Sequence, residues 1–372
     1  MKKAIITDWL DKYGGAERVV TAICEVIDFD YYYAYINKMD PDKQILTFGN
    51  KKVDIIQSNW FKNFKPFFRF MMPLFPAVVS TFNRQTKKNQ VGLVVSSSWV
   101  LSKGYRVGKE KHVCYLQARN FKYVWEEADM YFRGPLKLLS FLKKPLQRFD
   151  VRAAANPDIL ISNSLFVKNW VKEKYNRDSH VIYPPVEVDD FFISDTRDDY
   201  FITVGRLEPY KRFDLIVDAF KKNGKRLLVV GDGSVLPKLK KNAGDNIEFL
   251  GFKNKSEIKH LLSKARAFVY AGVEDFGIAV VEALASGTPV IAFSGGASKE
   301  IIEDQRTGVL YNEQNVTALV DAVNHFETVE ENFEAAEIRN KALKFSKQRF
   351  QREFLGLINA TISNEQKICT AN

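Results

Sequence analysis

Short apolar runs alternate with stretches of helical spacing through the second half of the chain. YFITVG (200–205) leads into RFDLIVDAFKKN, RLLVVG (226–231) into VLPKLKKN, and IEFLG (247–251) into SEIKHLLSKA. AFVYA (267–271) precedes GIAVVEALASG, PVIAFSG (289–295) precedes SKEIIED, and GVLY (308–311) precedes VTALVDAVNHF. Runs this short and this apolar have the length of buried strands. The segments between them have the length of covering helices. Strands joined each time through a helix run parallel, because the helix carries the chain back to the end of the sheet at which the preceding strand began.

The first half follows the scheme less regularly. KAIITDW (3–9) is a strand, followed by a turn at Gly14-Gly15 and the helix GAERVVTAICEVI. VGLVVSSS (91–98), KHVCYL (111–116) and DILISNS (158–164) are further strands, with a long helix over 136–155 before the last and FVKNWVKEKY after it. HVIYPP (180–185) closes the domain, and its prolines with the acidic run EVDDF make a linker. The pattern predicts an α/β chain of two Rossmann-like, doubly wound domains facing a cleft, 1–186 and 187–345. Residues 346–372 would form a C-terminal helix packing back on the first domain. Ligands of such sheets bind at the carboxyl ends of the strands, and a cleft between two such domains is where a site is expected.

Length and composition agree with this picture. A chain of 372 residues suits two domains. With 46% hydrophobic and 27% charged residues it is not a disordered chain. Charge adds something new. The net charge of +10 lies wholly in the first half: residues 1–190 hold 30 Lys+Arg against 20 Asp+Glu, and residues 191–372 hold 25 of each. Between Asp54 and Glu110 there is no acidic residue but nine cations: Lys62, Lys65, Arg69, Arg84, Lys87, Lys88, Lys103, Arg106 and Lys109. This predicts a basic face on the first domain. Three scattered cysteines fit a reducing compartment and neither a disulfide framework nor a zinc cluster. The apolar run after Met1-Lys2-Lys3 breaks at Asp8, too early for a signal peptide, and no run of 18 apolar residues spans a bilayer.

Three segments carry chemistry. In Glu274-Asp275-Phe276-Gly277-Ile278 and on to Glu282, one carboxylate follows a strand and a second stands eight residues on, inside the next helix. Gly277 opens backbone amides at the helix start, a place for an anion or hydroxyl. Either the segment holds a ligand with hydroxyls at both ends and negative charge between them, or it is a helix start with favourably placed acids. In Gly205-Arg206-Leu-Glu-Pro-Tyr-Lys211, a fork and a point charge five residues apart can clamp a diphosphate; otherwise this is a solvated basic loop. Ser294-Gly295-Gly296 offers close backbone approach to a ligand, or is simply a turn. Asp28-Phe-Asp30 and Asp40-Pro-Asp42 are chance D-x-D matches. The four histidines lack metal-ligand spacing, and no G-x-G-x-x-G points to a nicotinamide cofactor.

The order G-R-x4-K, E-D-F-G-x4-E, G-G-x3-E and TGVLY, with GGAERV near the start and SNS-x-F-V (162–167) before the paired prolines, resembles the GT-B-fold retaining glycosyltransferases of family 4. The resemblance runs over nearly the whole chain and is strongest across 200–311. It implies that Arg206 and Lys211 bind the donor's diphosphate and stabilise the leaving phosphate, and that Glu274 contacts the donor sugar. It implies that Glu282 holds the ribose, that Asp275 and the backbone around Phe276, Gly277 and Ile278 meet sugar and phosphate, and that Gly251-Phe252 lies near the base. It implies that Gly14 and Gly15 approach the phosphates from the first domain, which carries the acceptor, and that the reaction retains the anomeric configuration without metal or cofactor. Where many members carry a His that positions the donor sugar, this chain has Gln117, followed by Arg119. Gln exchanges hydrogen bonds but does not titrate near neutrality. Polysaccharide-assembly mannosyltransferases, O-antigen enzymes among them, are the closest likeness and imply GDP-mannose as donor.

Residues 59–76, NWFKNFKPFFRFMMPLFP, interleave aromatics with cations. Trp60, Phe61, Lys62, Phe64, Lys65 and Arg69 would lie at an anionic membrane interface, and a second basic stretch from Arg133 to Arg152 would join them; alternatively both pack on the domain's own core. The expectation is a hexosyltransferase acting on a lipid-linked glycan, cytoplasmic and peripheral at the inner face of the cytoplasmic membrane. Three alternatives stand beside it: a transferase with a UDP-sugar and a soluble acceptor, a silent sugar-nucleotide binder, and a nucleic-acid binder. The last would bind any duplex with steep salt dependence and leaves Arg206, Lys211 and Glu282 without a role.

Overall fold

The computed structural model describes residues 1–61, 74–106, 108–122, 124–128 and 140–369. The chain divides into two compact units, Met1–Tyr183 with Phe350–Asn372, and Pro184–Arg349. Each unit is built on one parallel sheet. The first has β1 (Lys2–Leu10), β2 (Tyr31–Asn37), β3 (Ile55–Gln57), β4 (Val91–Ser98), β5 (Lys111–Leu116), β6 (Ile159–Ser162) and β7 (His180–Val181), in the order β3-β2-β1-β4-β5-β6-β7. The second has β8 (Phe201–Val204), β9 (Leu227–Val230), β10 (Ile247–Gly251), β11 (Phe268–Tyr270), β12 (Val290–Phe293) and β13 (Gly308–Tyr311), in the order β10-β9-β8-β11-β12-β13. Both orders reverse direction once, between β1 and β4 and between β8 and β11.

Every strand expected in the second half is present: apart from the partly exposed edge strand β10, each is a short apolar run with most of its residues buried. Phe201, Val229, Val269, Ile291 and Val309 pack there under helices that contribute Phe213, Phe220, Leu319 and Phe326. In the first unit, β2 and β3 are additions that periodicity missed. YYYAYIN is aromatic without alternation, since Tyr33 and Tyr35 on one face and Tyr32 on the other are all buried. The helix expected over 136–155 runs from Lys143 to Ala154; residues 129–139 lie outside the described set.

The helix Lys347–Cys369 places Phe350, Phe354 and Ile358 in the core of the first unit, beside Ile23, Tyr115 and Ile161. These three recur every four residues, one stripe of a helix. The unit boundary falls slightly before 186 because Val186 pairs with Ser346. Its N–H donates to the Phe345 carbonyl at 3.0 Å, and its own carbonyl accepts from the Lys347 N–H at 3.0 Å.

Two charged residues of the first half, one of them counted in the expected basic face, are interior. Asp8, where the apolar run breaks, sits within β1 at 1% exposure. Its carboxylate accepts the backbone N–H groups of Trp99, Val100, Leu101 and Ser102 and so holds the turn that follows β4. Lys103 is fully buried and pairs with Asp150 at 2.7 Å, itself fully buried. It also donates to the Val100 carbonyl at 2.7 Å and the Asn120 amide oxygen at 3.2 Å. The basic face therefore loses Lys103, whose charge is matched inside; Arg84, Lys87, Lys88, Arg106 and Lys109 are exposed.

His112 is a structural residue of β5. Its Nε2 lies 2.8 Å from Ser96 Oγ, and burial, with the Arg177 guanidinium second, lowers its pKa to about 3. The unfolded chain takes up this proton near pH 6.5 and the folded chain only near 3. The histidine therefore costs nothing above pH 6.5, and stability falls as pH drops below it, at up to about 1.4 kcal/mol per pH unit. Urea unfolding at pH 7.5, 6.5 and 5.5 should show this loss in the wild type and a smaller one in His112→Gln. Equal losses in both would refute it.

Candidate active site

The reversal between β8 and β11 brings two loops together at the carboxyl edge of the second sheet. The loop after β8 carries Arg206 and ends in a tight turn, Pro209–Lys211. Arg212 then adopts a left-handed conformation (φ 57°) and starts the helix Phe213–Asn223. The loop after β11 carries Glu274 and ends at Gly277 (φ 103°), ahead of the helix Ile278–Ala285. The backbones touch: a Cβ on Gly272 would stand 3.0 Å from Lys211 Cα.

Lys211 Nζ lies 2.7 Å from Glu274 Oε1, with the two side chains only 15% and 20% exposed. The Tyr270 hydroxyl donates to the same carboxylate oxygen at 2.5 Å. Burial first, and then the Glu274 charge, push the Tyr270 phenol well above its ordinary range, so it remains a donor. Arg206 is exposed and donates to the Tyr210 hydroxyl at 3.2 Å. Lys211 Nζ sits 5.8 Å from the ring centres of both Tyr210 and Tyr270. The result is a partly shielded ammonium–carboxylate pair with a guanidinium nearby, at a switch point of the kind that binds anionic ligands.

Of Gly295-Gly296, the second glycine admits a neighbouring backbone. The backbone that approaches Gly296 is that of Glu274: the two residues form a β-bridge, and a Cβ at Gly296 (φ 69°) would fall 2.3 Å from the Glu274 carbonyl oxygen. The glycine thus lets the loop after β12 pin the backbone of the catalytic candidate. The Ala297 N–H completes this by donating to the Glu274 carbonyl at 3.0 Å.

Asp275 and Phe276 are buried, and the Phe276 ring packs edge-on against Phe345 at 5.5 Å. Glu282 is half-buried within the helix Ile278–Ala285. Gly251 ends β10, and its carbonyl accepts from Gly231 N–H at 2.8 Å; Phe252 is 83% exposed. A segment the sequence reading passed over, Gly231-Asp232-Gly233-Ser234, joins this edge. Its Asp232 carbonyl accepts from the Leu207 N–H at 2.9 Å, and Ser234 Oγ donates to Glu208 at 2.7 Å. The signal was available: small and acidic residues immediately after an apolar strand.

In the first unit, the Gly14 N–H is taken by the Glu17 carboxylate at 2.9 Å, and Gly15 begins the helix Gly15–Val26. Gln117 is 8% exposed at the end of β5; its Nε2 donates to Ser97 Oγ at 2.9 Å and reaches the Ala16 carbonyl at 3.5 Å. The Arg119 guanidinium lies 4.8 Å from the Phe166 ring centre. Trp60 is exposed and Phe61 ends a short turn, while Lys62, Phe64, Lys65 and Arg69 lie outside the described residues. Among the described residues, no three His, Cys, Asp or Glu side chains gather in a metal-binding group, and no helix is long and apolar enough to cross a membrane.

Residues 188–345 match the family model for glycosyl transferases group 1. An O-antigen chain mannosyltransferase of Salmonella typhimurium is 29% identical over 215 residues, 50% of this chain and 59% of that protein. A GDP-mannose-dependent alpha-mannosyltransferase of Mycobacterium tuberculosis is 37% identical over 108 residues, 29% of this chain and 28% of that one. The chain spans about half the length of the curated relatives it matches. In fold it is similar to an Anabaena protein crystallised with UDP-glucose, with a TM-score of 0.72 at 17% identity over 97% of this chain and 100% of that one.

Proposed function

We propose that this chain, in which residues 188–345 belong to the glycosyl transferases group 1 family, is a retaining, metal-independent glycosyltransferase that moves a hexose from a nucleoside-diphosphate sugar onto a lipid-linked glycan. The observation that carries this is the shielded Lys211–Glu274 pair, 2.7 Å apart on the two loops flanking the strand-order reversal.

Arg206 and Lys211 take the diphosphate oxygens. As the bond from the anomeric carbon to the phosphate oxygen breaks, the two cations stabilise the negative charge gathering on the leaving group. The acceptor hydroxyl bonds to the same carbon on the face the diphosphate leaves, and its proton passes to the departing phosphate oxygen. Glu274 orients the sugar hydroxyls and Glu282 the ribose. Amides at the start of Ile278–Ala285 meet sugar and phosphate, and Gly251-Phe252 lies beside the base. The acceptor binds the first unit, where Gln117 and Arg119 stand past β5.

GDP-mannose as donor is supported by the names of the Salmonella and Mycobacterium relatives, one a mannosyltransferase and the other GDP-mannose-dependent. The UDP-glucose of the Anabaena protein belongs to a chain only 17% identical. A membrane-borne acceptor is supported by the exposed Trp60 and the exposed cations Arg84, Lys87 and Lys88 of the first unit.

Thermal-shift screening against GDP-, UDP-, ADP- and dTDP-sugars should single out GDP-mannose by mass-action stabilisation. With that donor, Lys211→Ala and Glu274→Ala should each lower transfer by at least about a hundredfold while the melting temperature stays near the wild type. Activity retained in either variant contradicts the site. Flotation with vesicles containing anionic phospholipid should carry the protein upward; a protein that stays at the bottom contradicts the membrane role.

A further inference from the structure

The backbone ladder between β8 and β11 is thin. Its register holds one pair, Phe268 with Ile202, and it stops well before Lys211 and Glu274. The next strands are better joined, β8 to β9 and β11 to β12, through four and three register pairs. The loops that carry the ion pair therefore need another tie at the seam between the halves of the sheet.

That tie comes from the edge of the sheet. The chain leaving β13 turns back across the carboxyl ends of the neighbouring strands. The Ser294 N–H donates to the Tyr311 carbonyl at 2.9 Å and Ser294 Oγ to Asn312 Oδ1 at 2.8 Å. The Tyr311 hydroxyl reaches the Tyr270 carbonyl at 3.4 Å. Gln314 then uses both ends of its carboxamide: Nε2 donates to the Ala271 carbonyl at 2.7 Å, and Oε1 accepts from Arg212 Nη1 at 3.2 Å. Ala271 is the first residue past β11 and opens the loop of Glu274. Arg212 is the neighbour of Lys211 and holds a left-handed conformation (φ 57°) that side chains with a Cβ disfavour. Asp214 takes the other side of that guanidinium at 3.1 Å.

We propose that Gln314 is a positioning residue for the transfer reaction: its carboxamide fastens the Lys211 loop to the Glu274 loop, so that cation and carboxylate meet the donor in one fixed geometry. The inference rests on the assignment of Lys211 and Glu274 to the donor site. Gln314 does not touch the reacting atoms; it acts through Ala271 and Arg212. A carboxamide suits the task because it supplies one donor and one acceptor without charge, and a net charge here would disturb the ion pair. A small loss of alignment between binding groups costs rate far more than it costs stability.

Two variants test this on the full chain, read by amide hydrogen exchange and by steady-state kinetics. Gln314→Met keeps the length and removes both hydrogen bonds. Exchange in residues 206–212 and 271–277 should rise several-fold together while the strands Phe201–Val204 and Val290–Phe293 keep wild-type protection. The kcat should fall about tenfold or more, with KM for the nucleotide sugar within about threefold of wild type. Gln314→Glu keeps the acceptor for Arg212 and sets a carboxylate against the Ala271 carbonyl; exchange should rise in 271–277 and stay low in 206–212. Wild-type exchange in either loop of Gln314→Met overturns the tie. Loosened loops with unchanged kcat overturn the positioning role. A wild-type protein that transfers no sugar from any nucleotide sugar overturns the transferase assignment instead, and the exchange result still decides whether Gln314 joins the loops.

Discussion

A parallel sheet gathers the carboxyl ends of all its strands along one edge, and a reversal of strand order forces the loops after its two central strands to diverge from a common seam. In the second unit this constraint puts the Lys211 and Glu274 loops side by side. Their side chains meet because Gly272 lets the two backbones touch and Gly296 lets the β12 loop clamp Glu274 from the other side. The ion pair is a consequence of the sheet, and its shielding gives it force: two charges 2.7 Å apart and mostly out of water interact much more strongly than an exposed pair. Glu274 holds Lys211 and accepts from Tyr270 as well. The ammonium is thus aimed and neutralised, and under the proposed function an incoming diphosphate would compete with the carboxylate for it.

The charge excess of the first half divides into two kinds. Lys103 is an interior cation, matched by Asp150 and tied to Asn120 and the Val100 carbonyl, and it fixes the turns after β4 and β5. Asp8 does related work from β1 with four backbone donors on one carboxylate. The exposed cations Arg84, Lys87, Lys88, Arg106 and Lys109 are the part open to a polyanionic surface. One count of charge thus covers groups that stabilise and groups that are free to meet a partner.

The fold was legible wherever strands were aliphatic and separated by amphipathic helices, which holds for all six strands of the second unit. It was not legible at β2, whose tyrosines are buried on both faces and give no alternation, or at β3, three residues long. Within the candidate site, Arg206, Lys211 and Glu274 were legible as charged residues on loops just past apolar strands, and the structure pairs Lys211 with Glu274. The roles of Gly296 and Gln314 were not. Gly296 faces a backbone 22 residues earlier in the chain, and Gln314 joins positions 43 and 102 residues away. Local pattern carries no trace of such pairings. The burial of Lys103 was hidden for the same reason, since its partner Asp150 lies on a distant helix.

The central claim is that Lys211 is an anion-binding cation held in readiness by Glu274. The most direct measurement is the affinity for a bare nucleoside diphosphate, without sugar, in the wild type, Lys211→Met and Glu274→Gln, by calorimetry at one ionic strength. Loss of a charge-assisted contact predicts at least about tenfold weaker binding in Lys211→Met. Removal of the competing carboxylate predicts binding in Glu274→Gln as tight as wild type or tighter. Unchanged affinity in Lys211→Met, or weaker binding in Glu274→Gln, would contradict the account.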